Sequence, residues 1–149
     1  MAQRRFSASV LIARDPADVF AWVADHRNVP TVLEGVDRWE PLGASTRGRG
    51  ARFDVSMRVL GLQLGDVLVL DTWEAPAAIG WHSESGLVAQ AGGWHFEPRR
   101  GGTEVTLTIG YEPPGGALGG LLARRVDGVL GERVRQALER MRAVLERDG

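Results

Sequence analysis

The sequence has no cysteine and no lysine. Without cysteine there is no disulfide, no thiolate metal ligand and no cysteine nucleophile, a composition compatible with a reducing compartment. Without lysine, a Schiff-base mechanism is excluded, and so is a phosphate loop built around that residue. All 18 basic residues are arginine. Coding bias toward arginine and alanine explains this more simply than selection for bidentate anion binding. The arginines nearly balance 19 acidic residues, leaving a formal net charge of −1, so no broad field favours nucleic acid or an anionic membrane. No apolar run approaches the roughly 20 residues of a membrane helix, and Arg4 and Arg5 are not followed by the apolar core of a signal peptide. The expectation is a soluble cytoplasmic protein forming one domain over residues 1–149, with no nucleic-acid partner and no stable membrane anchor.

Catalytic and metal signatures are also scarce. His26, His82 and His95 have no ligand spacing, so no metal site is expected. No serine stands in a nucleophile-elbow context, and no Ser/His/Asp set assembles from elements that should meet. Gly115-Gly116 and Gly119-Gly120 do not follow a strand as a dinucleotide-binding loop does. They read as the turn from the last strand into a helix. No cofactor is expected.

What is present is strong periodicity. From Leu118 to Glu146, Leu118, Leu122, Val126, Val129, Leu130, Val134, Ala137, Leu138, Met141 and Leu145 recur every three or four positions, the spacing of one buried helix face. Asp127, Glu132, Arg135, Glu139, Arg142 and Glu146 are expected on the wet face, with Arg135/Glu139 and Arg142/Glu146 able to pair four residues apart. At about 1.5 Å per residue such a helix spans roughly 40 Å, enough to cross a small domain. Gly128 lies off the stripe, while Gly131, nearer its flank, is a candidate for leaving space to a ligand.

Ahead of the helix the pattern is mostly alternating. Phe6, Ala8, Val10 and Ile12 mark a first strand. Asp15-Pro16 opens a helix, aspartate as N-cap and proline at the first position, and a shorter helix or turn follows over Val29–Gly35. Strands are predicted at Val36–Leu42, around Phe53, Val55, Met57 and Val59, over Gln63–Glu74, Ile79–Ser83, Val88–Glu97 and Thr103–Tyr111, joined by turns. In the Gln63–Glu74 strand two registers are open: either Asp71 and Trp73, or Thr72 and Glu74, point inward. The order is strand, two helices, six strands, long helix. This is an α+β chain: a curved antiparallel sheet of about seven strands covered by its C-terminal helix, with two short helices after the first strand.

Several stretches resemble the START-like (SRPBCC) superfamily, in particular its bacterial polyketide cyclase/dehydrase and lipid-transport-like members. They are Ala13-Arg14-Asp15-Pro16-Ala17-Asp18-Val19-Phe20 with Val23-Ala24-Asp25, then Trp73-Glu74-Ala75-Pro76 with Ile79-Gly80-Trp81, then Gly101-Gly102-Thr103-Glu104-Val105. The likeness covers essentially the whole chain. It implies a helix-grip fold with a hydrophobic pocket between sheet and long helix. It does not imply one activity, since the superfamily includes lipid carriers, coenzyme Q-binding proteins, aromatase/cyclases, hormone receptors and stress-response regulators.

Alternation predicts an inward set of Phe53, Val55, Met57, Trp81, Trp94, Phe96, Val105, Leu107, Ile109, Tyr111, Leu122, Val126 and Val129. Phe53, Val55, Met57, Trp81, Trp94, Phe96, Leu107, Tyr111, Leu122, Val126 and Val129 are the candidate ligand-binding residues. Trp81 and Trp94 would be walls for a flat apolar molecule, although core filling alone accounts for many tryptophans. His82 and His95 should then face solvent. The expected partner is a small hydrophobic, lipid-like or polyketide-like molecule. A cyclase or dehydrase would need convergent polar groups, for which Tyr111, Ser83 and Asp71 are the candidates. A protein-interaction module with a solid core is the third reading.

Overall fold

The computed structural model describes residues 4–86, 89–112 and 117–147, with the side chains of residues 85, 86 and 117–123 outside the description. Its elements are β1 (Arg4–Ile12), α1 (Pro16–Ala24), α2 (Val29–Val32), β2 (Val36–Pro41), β3 (Arg52–Val59), β4 (Leu62–Glu74), β5 (Ala78–Gly86), β6 (Gln90–Arg99), β7 (Gly102–Tyr111) and α3 (Ala117–Arg147). The strands form one antiparallel sheet in the order β1-β7-β6-β5-β4-β3-β2. Chain neighbours are sheet neighbours except where β1 closes against β7. The long helix lies against β1 and also meets β7 and α2. This is the helix-grip fold.

Period-two alternation and cross-strand pairing agree about which face is inward. Val55 faces Asp66, Leu70 faces Trp81, Trp94 faces Leu107, and Leu107 faces Ala8. Residues directly opposite share a face. The open register of β4 is decided by an irregularity between Leu70 and Thr72, after which Trp73 pairs with Ile79. An extra residue shifts everything beyond it by one position. Trp73 therefore points inward, its ring edge-on to Phe20 at 5.3 Å. Asp71 is left on the outer face, where Oδ2 meets His82 Nδ1 at 2.7 Å.

Some local expectations are corrected. Asp15 occupies the N-cap position of α1, with Pro16 following, but its side chain makes no cap hydrogen bond. Its backbone carbonyl accepts from the amides of Asp18 and Val19 instead. Gly119 and Gly120 lie inside α3, while Gly115 and Gly116 fall outside the described residues. β5 runs to Gly86, past the predicted strand end at Ser83. On α3, Arg135 pairs with Glu132 and Arg142 with Glu139, each three apart. Glu146, predicted to pair with Arg142, accepts the Ala13 amide at 2.9 Å.

The buried stripe on α3 is not uniform. Val134, Ala137, Leu138, Met141 and Leu145 are at most 4 % exposed and merge with Ile12, Val19, Phe20, Val105 and Leu107 into a solid core. Val126, Val129 and Leu130 are only half-buried. The helix thus packs into the core with its C-terminal half, while Val126, Val129 and Leu130 nearer its N-terminus are less deeply buried. Polar contacts pin its C-terminal half. Arg14 donates to the Leu145 carbonyl at 2.7 Å, Arg140 to that of Val32 at 3.3 Å, and Arg133 to that of Arg58 at 2.7 Å.

Candidate functional site

Two adjoining chambers occupy the space between sheet and helices. The inner one, about 90 Å³, is walled by Trp73, Ile79, Trp81, Trp94, Leu107 and Ile109 of the sheet and closed by Val23, Ala24, His26, Val29 and Leu33 from the α1–α2 segment. The larger one, about 420 Å³, lies under the first half of α3. Val55, Met57, Val59, Leu62, Leu64 and Asp66 of β3 and β4 line it, with Gln90, Tyr111, Val126 and Leu130. Trp39 and Leu68 belong to both linings, so these two side chains stand at the partition. Exposed Leu60 and Leu62, at the β3–β4 turn, form part of the larger chamber's rim.

The residues singled out from the sequence divide between these spaces. Phe53, Trp81, Trp94 and Leu107 line the inner chamber. Val55, Met57, Tyr111 and Val126 line the larger one. Phe96 lines neither: it packs between Phe20, at 5.8 Å, and Trp94, at 6.4 Å, in the solid core. Val129 also lines neither, because Val126 and Leu130, four apart on one helix face, take the positions over the cavity. The side chain of Leu122 is outside the described residues. Gly131 does not open onto either chamber; a Cβ there would lie 3.9 Å from Phe6, an ordinary contact.

Trp81 is seated by a glycine across the sheet. A Cβ on Gly92 would fall 2.4 Å from Trp81 Cζ2 and 2.7 Å from the Thr108 carbonyl oxygen. Only a residue without a side chain lets the indole lie down on β6. His26 caps the same chamber from the α1–α2 connection, its ring 5.7 Å from that of Phe53. His82 and His95 are exposed.

Tyr111, Ser83 and Asp71 do not converge. Asp71 is on the opposite face of the sheet, while Ser83 Oγ is engaged as acceptor from the Gln90 amide at 2.9 Å. Other polar groups line the larger chamber instead. Asp66, 8 % exposed, lies 3.5 Å from Gln90 Nε2 through its Oδ2, and Gln90 sits directly opposite Tyr111. Alternation from Trp94 back through Gly92 places Gln90 inward, and Asp66 follows from Leu68 once the pairing with β3 fixes the face of that strand. They are polar residues whose position, not type, gave the signal.

Asp127 is a residue that the helical wheel misplaces. Expected on the wet face, it turns toward the sheet edge and accepts the Tyr111 hydroxyl at Oδ1, 2.8 Å away, and Arg4 Nε at Oδ2, 3.1 Å away. Arg4 also closes an ion pair with it through Nη2. Burial, followed by the neighbouring Asp127 carboxylate, pushes the Tyr111 phenol up to about 12. Burial works against the Asp127 charge, but hydrogen bonds from Arg4 and Tyr111 outweigh it and hold the carboxyl below its ordinary range. At neutral pH the latch is therefore a neutral phenol donating to a carboxylate beside a guanidinium. No cluster of three or more metal-ligating side chains occurs among the described residues.

No helix of the described residues is long and apolar enough to cross a membrane. No curated protein matches the chain by sequence. Solved structures share the architecture. TTHA0849 from Thermus thermophilus is 23 % identical with a TM-score of 0.83, over 98 % of this chain and 100 % of that one. The Zhui aromatase/cyclase from Streptomyces sp. R1128 is 20 % identical with a TM-score of 0.77, over 98 % and 95 % of the two chains. Ara h 8.0201 is 13 % identical with a TM-score of 0.70, over 97 % and 98 %. At these identities the likeness is one of fold. Residues 3–146 match the family described as polyketide cyclase / dehydrase and lipid transport, and the chain belongs to that family.

Proposed function

We propose that the protein binds a small hydrophobic molecule, lipid-like or polyketide-like, in the space beneath the N-terminal half of α3. The observation that carries this reading is the chamber of about 420 Å³ lined mainly by aliphatic side chains, under a helix face left half-buried at Val126 and Leu130. Its size falls in the ordinary range for small-molecule sites of about 300–1,000 Å³. Binding would draw on apolar burial at about 25 cal/mol per Å² removed from water, with Gln90 and Asp66 orienting the occupant. Phe53, Trp81, Trp94 and Leu107 would meet whatever part of the ligand enters the inner chamber.

The test is native mass spectrometry of freshly purified protein with denaturing extraction of retained molecules, followed by titration of a solvatochromic hydrophobic probe. Val126→Trp fills the chamber from the helix side and should abolish probe binding, while Arg124→Trp, at an exposed position on the same helix, should leave it intact. Equal binding by both variants would place the site elsewhere.

A second reading is a cyclase or dehydrase acting on a polyketide-like substrate in the same chamber. It is favoured by Asp66, Gln90 and Tyr111 on one wall, which supply hydrogen-bonding groups able to orient or polarise a carbonyl. Gln90→Leu separates the readings: a carrier should keep its affinity for an all-hydrocarbon probe, whereas an enzyme should lose turnover of an oxygenated substrate with that affinity preserved. A purely protein-binding module, which a wholly solid core would favour, is less well supported by a chamber of about 420 Å³ beneath the N-terminal half of α3.

A further inference from the structure

Resting on the binding role proposed above, we propose that the inner chamber is a subsite for a hydroxyl group at the end of a flat aromatic ligand, held between Trp81 Nε1 and His26 Nδ1. Both nitrogens are buried, both lack a hydrogen-bond partner among the described residues, and both residues line this chamber. Polar side-chain atoms shut away from water are nearly always paired, so two such atoms on one small cavity mark a place where a partner belongs. Their chemistry is complementary. The indole N–H only donates, whereas a neutral imidazole offers an acceptor nitrogen when its proton is on the other one. One hydroxyl can accept from the indole and donate to the imidazole.

The dimensions say which part of a ligand enters. At about 90 Å³ the inner chamber is smaller than an engineered cavity of about 150 Å³ that holds benzene. It therefore takes the edge of a ring and its substituent, while the body of the ligand remains in the larger chamber beyond Trp39 and Leu68. Among the inner chamber's mainly aliphatic lining stand three indoles, Trp73, Trp81 and Trp94, flat groups against which an aromatic ring can pack. His26 sits in the connection between α1 and α2 and is half-buried as a residue, so adjusting the imidazole to an entering hydroxyl needs no movement of a strand.

The probes are 2-naphthol and 2-methylnaphthalene, which match in size and differ by a hydroxyl in place of a methyl. By calorimetry, the wild type should bind 2-naphthol more tightly even though 2-methylnaphthalene is the more hydrophobic. Trp81→Phe and His26→Phe should each reduce that preference about three- to tenfold, the worth of one neutral hydrogen bond. The affinity for 2-methylnaphthalene should change much less. Should a variant not fold, the wild type answers alone: the Trp81 indole N–H resonance, assigned by its loss in Trp81→Phe or by through-bond NMR, should move downfield with 2-naphthol and not with 2-methylnaphthalene. If both probes bind with the methyl compound preferred and the indole resonance unmoved by either, the hydroxyl subsite is refuted while the binding role stands. If neither probe binds the wild type, but an extracted or solvatochromic ligand does, the flat aromatic ligand class is refuted. If nothing apolar binds, both readings fall together.

Discussion

Leu130 and Leu138 lie eight residues apart on the same face of α3, and truncating each to alanine tests the most consequential feature of the architecture. Leu138 is 2 % exposed and embedded in the core with Val134, Ala137 and Met141. Leu138→Ala removes three buried carbons and leaves a void, which places the loss at about 3–5 kcal/mol. Leu130 is half-buried and already borders empty space. Its truncation opens no new cavity and forfeits part of one side chain's transfer energy, about 1 kcal/mol. For a chain of 149 residues, each kcal/mol corresponds to roughly 2–4 °C in Tm. Leu138→Ala should therefore melt about 6–20 °C below the wild type, and Leu130→Ala within about 4 °C of it. Urea unfolding followed by far-UV circular dichroism and tryptophan fluorescence gives both values on one scale. Equal losses, or a larger loss for Leu130, would mean that the helix is packed evenly and that the chamber beneath its first half does not exist in solution.

The single tyrosine permits an unambiguous titration: absorbance at 295 nm should show Tyr111 ionising near 12 rather than 10, and a midpoint near 10 would remove the buried latch. Because its folded value is raised, the stabilisation is complete below about pH 10 and is lost as the pH rises toward 12. For Asp127, whose folded value is lowered, the contribution is present above the ordinary carboxylate range and is lost as the pH falls through it, so Asp127→Asn should flatten the acid limb of the stability profile. Gly92→Ala should lift the Trp81 indole off β6, costing about 1–3 kcal/mol by overpacking and shifting tryptophan emission, whereas Gly128→Ala, with open space around its Cβ, should be neutral or stabilising. An unchanged emission spectrum in Gly92→Ala would contradict the close seating of Trp81.

Much of this protein is legible from local chemistry. Alternation places Phe53, Val55, Trp94 and Leu107 inward because in a strand the direction of a side chain follows parity alone. The helix periodicity names the stripe from Val126 to Leu145 for a similar reason, and the family-like segments around Asp15-Pro16 and Trp73–Trp81 point to the helix-grip fold. Parity fails where a residue is inserted, and the irregularity after Leu70 is why Trp73 and Asp71 could not be assigned from sequence.

Tertiary structure alone decided the rest, because it depends on the distance between elements and not on the period within one. The wheel assigns Leu130 and Leu138 the same role, yet their places along α3 make one a wall of a cavity and the other part of a solid core. The same wheel sends Asp127 to solvent, but Arg4 and Tyr111 reach it from paired strands more than a dozen residues away in sequence. Polar residues carry no hydrophobic signal: Gln90 is placed only by the parity of its strand, Asp66 only once β3 fixes the open register of β4, and His26, in a connection with no period, only once the walls around it are assembled.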